Sequence, residues 1–118
     1  MTGAKARLEL GRQETVTTIG IAGEIDISNA VEMRRRMFAH ISNGDRAVIV
    51  DLSHLTFMDS AGIEILFALS DALAERRQPL VVVVPPGSQP RRTMEVVGLA
   101  TAVGMYPDRP SADLAVST

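Results

Sequence analysis

The stretch VIVDLSHLTFMDSAGIEILFAL, Val48 to Leu69, decides how the rest of the chain is read. Val48, Ile49 and Val50 form a short β-branched run, the composition of a buried strand. Asp51 and Ser53 are turn formers that close the run, so a compact loop from His54 to Asp59 is expected next, anchored by Leu55, Phe57 and Met58. From Ser60-Ala61-Gly62 onward the period changes. Ile63, Leu66, Phe67, Ser70 and Leu73 share one side of a helix, and Glu64, Ala68, Asp71 and Glu75 give the other side a wet stripe. A serine therefore sits where strand and loop hand over to the first turn of a helix. That turn carries unpaired N–H groups and about half a positive charge. Asp59 or Ser60 can cap it, and an anion there is electrostatically welcome. Capping alone accounts for the position.

The flanking sequence supplies the rest of an alternating chain. Residues 5–10 and 15–22 alternate loosely, which predicts a β-hairpin with Gly11 to Glu14 between its strands. Gly23-Glu24-Ile25-Asp26 breaks the second strand and starts a helix. Asp26, Ser28 and Asn29 are all candidate caps, and the capping-box spacing of Asn29 and Glu32 favours Asn29. Ala30, Met33, Met37 and Ile41 form the inward stripe, and Gly44 stands in the usual closing position. Val31 and Phe38 lie off the stripe, with Phe38 the candidate to face a partner.

Beyond the central stretch, Leu80 to Val84 reads as a buried parallel strand between Pro79 and Pro85-Pro86. Ser88 to Val97 reads as a helix capped by Ser88, with Pro90 in its first turn, Met94 and Val97 inward, and Gly98-Leu99 as its C-terminal cap. Thr101 to Met105 reads as a last strand. Residues 107–118 promise only a weak helical turn or a frayed tail. The order β-β-α-β-α-β-α-β predicts a single α/β domain over residues 1–118, with a mixed, mostly parallel sheet and an antiparallel hairpin at its edge.

Composition removes several functions. At 118 residues and 46% hydrophobic the chain can build one real core, but aromatics are 3% and Trp is absent, so that core is aliphatic. A formal charge of -2 offers no basic field for nucleic acid, and stacking residues are missing too. The pairs and triplets of arginine at 34–36, 76–77 and 91–92 read as solvated helix faces. With no cysteine and only His40 and His54, neither a disulfide framework nor a metal centre is expected, and no cofactor. No secretory leader fits the first residues and no apolar run approaches the ~20 needed to span a membrane. A cytoplasmic protein, monomeric or weakly dimeric, is expected.

Asp51-Leu52-Ser53 followed by Phe57-Met58-Asp59-Ser60-Ala61-Gly62-Ile63 resembles the signature of STAS domains, specifically the bacterial anti-sigma factor antagonists. Gly23-Glu24-Ile25-Asp26 with Ala30 resembles the family's second signature. The resemblance covers nearly the whole chain and is weakest in the first dozen residues and after Tyr106. It implies the STAS fold, and it implies that Ser60 is phosphorylated by a partner kinase. It also implies that Asp26, Asp59, Ser60, Ala61, Gly62 and Glu64 contribute to partner binding. Two positions depart from the pattern: Ala61 replaces a second hydroxyl residue of several relatives, and Glu64 stands where many have glycine.

The implied function is a switch. The unmodified chain would engage an anti-sigma factor with serine kinase activity and so free a sigma factor; phosphorylation at Ser60 would end that contact, and a serine phosphatase would restore it. An enzyme using Ser60 as nucleophile is disfavoured, because there is no G-x-S-x-G elbow and no motif placing either histidine as its base. A phosphoryl-accepting receiver fails on composition: Lys5 is the sole lysine, far from any later strand. The remaining alternative is a non-switching scaffold, or a small-ligand module, in a stress-signalling complex.

Overall fold

The periodicities resolve into a five-stranded sheet in the computed structural model, which describes residues 5–117. β1 (Ala6–Gln13) and β2 (Val16–Ile25) are followed by α1 (Ala30–His40), β3 (Ala47–Met58), α2 (Ser60–Glu75) and β4 (Leu80–Val83). Then come α3 (Gln89–Val96), a 3-10 turn (Leu99–Thr101), β5 (Gly104–Tyr106) and α4 (Arg109–Val116). The strands lie in sequence order, β1 antiparallel to β2 and every later pair parallel. This is the mixed α/β architecture expected from the alternation of strand and helix signals.

Strand alternation splits the sheet's residues between two cores. Ile19, Ile21, Val48, Val50, Leu80 and Val82 face the larger one with α1, α2 and α3, which contribute Met33, Met37, Leu66, Leu69 and Met94. Val16, Ala47, Ile49, Val81 and Val83 point to the opposite face, where Ala112 and Val116 of α4 cover them. Arg109–Val116, expected at most as a weak helical turn or part of a frayed tail, is therefore a packed helix. Asp108 caps α4 by accepting from Ser111 N–H at 2.9 Å, and the i, i+4 pair Ala112/Val116 supplies a buried stripe.

Several boundaries move, each for a local reason. The hairpin closes through Glu14-Thr15 alone, so β1 extends through Gln13 into the residues expected to form its loop, while β2 begins at Val16. β3 runs on to Met58, where a loop from His54 is expected. Asp51 does make its turn, accepting from Ser53 N–H at 2.9 Å and Ser53 Oγ at 2.5 Å. But β2 remains alongside, and the turn is absorbed as two register shifts, with Gly23 paired to Leu55 between them and Ile25 to Met58 after the second. Gly23-Glu24-Ile25 is consequently strand and does not open a helix. α1 ends at His40 with Ile41 extended, leaving Gly44 in the following turn. On α3, Met94 is buried while Val97 is 45% exposed, and the last strand begins at Gly104 because Leu99–Thr101 takes a 3-10 turn.

A polar knot ties the hairpin to the helical layer, and no pattern in the sequence announces it. Asp45 is buried and accepts from Arg12 Nε and Nη2 at 3.1 Å each, from Ser42 N–H at 2.9 Å and from the Thr17 hydroxyl. Gln78 donates to the carbonyls of Ser42 and Asp45 at 2.8 and 2.7 Å and so fastens the end of α2 to the same turn. Burial pushes the Asp45 carboxyl upward, but these hydrogen bonds outweigh it and hold the group below the usual carboxylate range.

Candidate functional site

The site forms where β2 and β3 end side by side. Asp59 N–H donates to Ile25 carbonyl at 3.3 Å, which joins the two strand ends. On the other flank Gln89 grips the backbone of Met58, accepting its N–H at 2.9 Å and donating to its carbonyl at 3.0 Å. The first turn of α2 thus starts from a peptide pinned on both sides. Asp59 is the N-cap, its carboxylate accepting from Ala61 N–H at 2.8 Å. That settles which of the two candidates caps the helix. Ser60 occupies the next position, is exposed, and its hydroxyl makes no hydrogen bond among the described residues.

Asp26 belongs to the neighbouring β2–α1 loop. Its carboxylate pairs with Lys5 and accepts from Ser28 N–H at 2.8 Å and Ser28 Oγ at 2.5 Å. The hydrogen bond from Lys5, then those from Ser28, hold its carboxyl down to about 2. Asn29 is the cap residue of α1, but its side chain does not cap; it accepts from Asp26 N–H at 3.0 Å and donates to the Glu24 carbonyl at 2.9 Å. Glu32 pairs with Arg35 instead of closing a capping box. Gly23 holds φ 99°, where a side chain would run into the Lys5 carbonyl, so glycine is required for this edge to close.

Of the residues expected at the site, Ser60 and Glu64 are exposed, and Asp26, Asp59 and Ala61 are partly so. Gly62 is not at the surface. It is buried against Met58 and Ile25, and an added Cβ would lie 2.9 Å from Met58 Sδ, still nearer Met58 Cγ and 3.3 Å from Ile25 Cγ2. Its absent side chain lets α2 close on the sheet. Gly62→Ala gains up to about 1 kcal/mol of helix propensity but overpacks a core methionine at about 1–3 kcal/mol. A net loss of about 1–2 kcal/mol in urea unfolding is expected; an unchanged midpoint would contradict this packing.

Phe38 does not face outward as expected; it is half-buried against the core with Arg34 Cζ 5.3 Å above its ring. Two exposed apolar residues line the same groove as Ser60: Val31, already off the inward stripe in the sequence, and Ile27, which no pattern marks. The roles of Lys5 and Gln89 carry no sequence signal, since each acts through a contact more than 20 residues away, and Ser28, a candidate cap, instead donates to Asp26.

The Asp26 carboxyl gives a pH test. Its folded value lies below the ordinary 3.8, so its contribution to stability is fully present above that value and is lost as pH falls towards about 2. The Asp26 side-chain carbon signal should titrate with a midpoint near 2. Lys5→Ala should move that midpoint upward; an unmoved midpoint would show that the pair does not persist in solution.

The sequence matches the model of the STAS domain over residues 7–112, and the chain belongs to that family. It is 31% identical over 84 residues to the anti-sigma-F factor antagonist RsfB of Mycobacterium tuberculosis, covering 71% of this chain and 67% of that protein. An anti-sigma factor antagonist from Mycobacterium paratuberculosis superposes with a TM-score of 0.85 at 26% identity, over 94% of this chain and 93% of that one. The fold is shared further with the Bacillus cell fate determinant SpoIIAA in its phosphorylated form, with a TM-score of 0.69 at 19% identity, over 92% and 99% of the two chains. Among the described residues no helix is long and apolar enough to cross a membrane.

Proposed function

We propose that this chain is an anti-sigma factor antagonist that works by binding, not catalysis, and that Ser60 is its switch. The observation that carries this reading is the division of labour at the start of α2. Asp59 does the capping, so the Ser60 hydroxyl is left exposed and unengaged at a helix N-terminus. A serine needed only as a cap would be bonded to the first turn. The relatives' names support the choice of partner class.

In the unmodified state the surface around Ser60, with Asp26, Asp59, Ala61 and Glu64, engages an anti-sigma factor that is also a serine kinase, and a sigma factor is released. Phosphorylation adds about -1.5 to -2 charges and ends the contact, without any need to refold the domain. A serine phosphatase reverses it.

Incubation with such a kinase and ATP, followed by intact mass and site mapping, tests this directly. One phosphate on Ser60 is expected, and none on Ser60→Ala. Because Asp59 is the cap, Ser60→Ala should stay within about 0.5 kcal/mol of the parent in stability. Phosphorylation of Ser60→Ala at unit stoichiometry would place the switch at another residue, and a parent chain that takes up no phosphate would leave the scaffold reading standing.

A further inference from the structure

The outer surface of α1 is charged, with Glu32, Arg34, Arg35 and Arg36 all exposed. Two aliphatic side chains interrupt it at its beginning. Ile27, in the loop before the helix, is 84% exposed, and Val31, in the first turn, is 83% exposed. Single exposed aliphatics are ordinary on a protein surface. These two share one groove of about 360 Å³ between α1 and α2, together with Ser60, Ala61 and Glu64.

The charge in that groove is unbalanced. Glu64 is exposed and forms no ion pair among the described residues. Arg34 lines the same groove, yet its guanidinium is stacked on Phe38 and not paired with Glu64. Asp59 adds a second carboxylate at the Ser60 end. The groove therefore offers two projecting aliphatic side chains beside a rim on which two carboxylates, Asp59 and Glu64, outnumber one guanidinium, Arg34.

We infer that this groove, on the surface that the reading of Ser60 makes a partner interface, is the anchor point for the anti-sigma factor. The segment it accepts places an aliphatic side chain against Ile27 and Val31 and an arginine or lysine against Glu64. Charge complementarity selects that occupant. An acidic segment would meet Glu64 and Asp59 directly, and a wholly apolar one would strip water from Glu64 without replacing it. Glu64 thereby becomes a residue that chooses among anti-sigma factors. A phosphate on Ser60 puts a strongly hydrated group at the aliphatic end, where docking must remove water, and for release to follow that cost has to exceed the phosphate's attraction for the cation docked one helical turn away.

The test uses a purified anti-sigma factor that binds the unmodified parent chain, with affinities measured by calorimetry. The double variant Ile27→Ser/Val31→Ser should bind about tenfold or more weakly with its melting temperature unchanged, since both side chains are already in water. Glu64→Gln should bind about threefold or more weakly and lose part of the salt dependence, and Glu64→Arg should weaken it further. Val96→Ser, an equally exposed aliphatic on α3, is the control and should bind as the parent does. Affinity of the double variant within about twofold of the parent would overturn the proposal. So would light scattering showing a parent dimer that the double variant splits, which would make a second copy the occupant. Loss of binding by the double variant when Ser60 proves unphosphorylated would uphold the docking groove while discarding the switch, so the two readings fail separately.

Discussion

Asp45→Ala is expected to lower stability by about 2–3 kcal/mol and the melting temperature by on the order of 10 °C. The residue is not near the switch and lies in the turn before β3. Truncation strands several groups at once: the Thr17 hydroxyl and Ser42 N–H lose their acceptor, and Arg12 loses the carboxylate bridging it to that turn. Leaving a buried donor unpaired costs about 1–3 kcal/mol. Arg12 is 39% exposed along its side chain and recovers part of its hydration, which keeps the total below that of a fully buried ion pair. The sign with pH follows from the depressed carboxyl. The parent's advantage over the variant is present at neutral pH and shrinks on acidification below the ordinary carboxylate range. Urea melts of both proteins at pH 7 and pH 3 measure it. A gap unchanged between the two would mean that the Arg12–Asp45 pair contributes nothing through its charge.

That knot also shows where the sequence stops being legible. Alternating strand and helix periods, the Pro-bracketed run Leu80–Val84 and the Ser88 and Asp59 cap positions are local signals, and each appears in the structure where its residues place it. What they miss is decided between distant segments. Asp51 and Ser53 make the turn their chemistry dictates, yet β2 lies alongside and continues the ladder past it. Gly23 to Ile25 are strand for the same reason: β3 pairs with all three, and on the other edge Ala6 pairs with Gly23 and the Lys5 carbonyl accepts from Glu24 N–H. The shortness of α4 hides it in the sequence; it is fixed by a sheet face that would otherwise expose Ile49 and Val81. At the site, Ser60, Asp59 and Asp26 were visible as motif residues. The motif also marks Gly62, which packs against Met58 and Ile25, because a motif does not say which side of a helix a glycine faces. Ile27 and Lys5 matter only through what the fold brings beside them.

Phosphorylation of Ser60 should reduce affinity for the anti-sigma factor by about 100-fold or more, with almost no change in the fold's stability. Two opposing local effects decide the second half of that expectation. The helix start stabilises an anion by about 0.3–1 kcal/mol. Glu64, one turn further along the same helix, opposes it by about 0.2–0.5 kcal/mol. The balance lies close to zero, so the binding defect has to arise at the interface. There the phosphate is a dianion with three acceptor oxygens beside Asp59, and a docking partner would have to strip its water. Ser60→Glu carries one charge and two oxygens and should produce only about a tenfold loss. Calorimetric titrations and thermal melts of parent, Ser60→Glu and stoichiometrically phosphorylated protein at matched salt measure both quantities. Full affinity in the phosphorylated sample would end the switch mechanism. A parallel fall in affinity and melting temperature would relocate it from the interface to the fold, with release occurring because α2 loosens from the sheet.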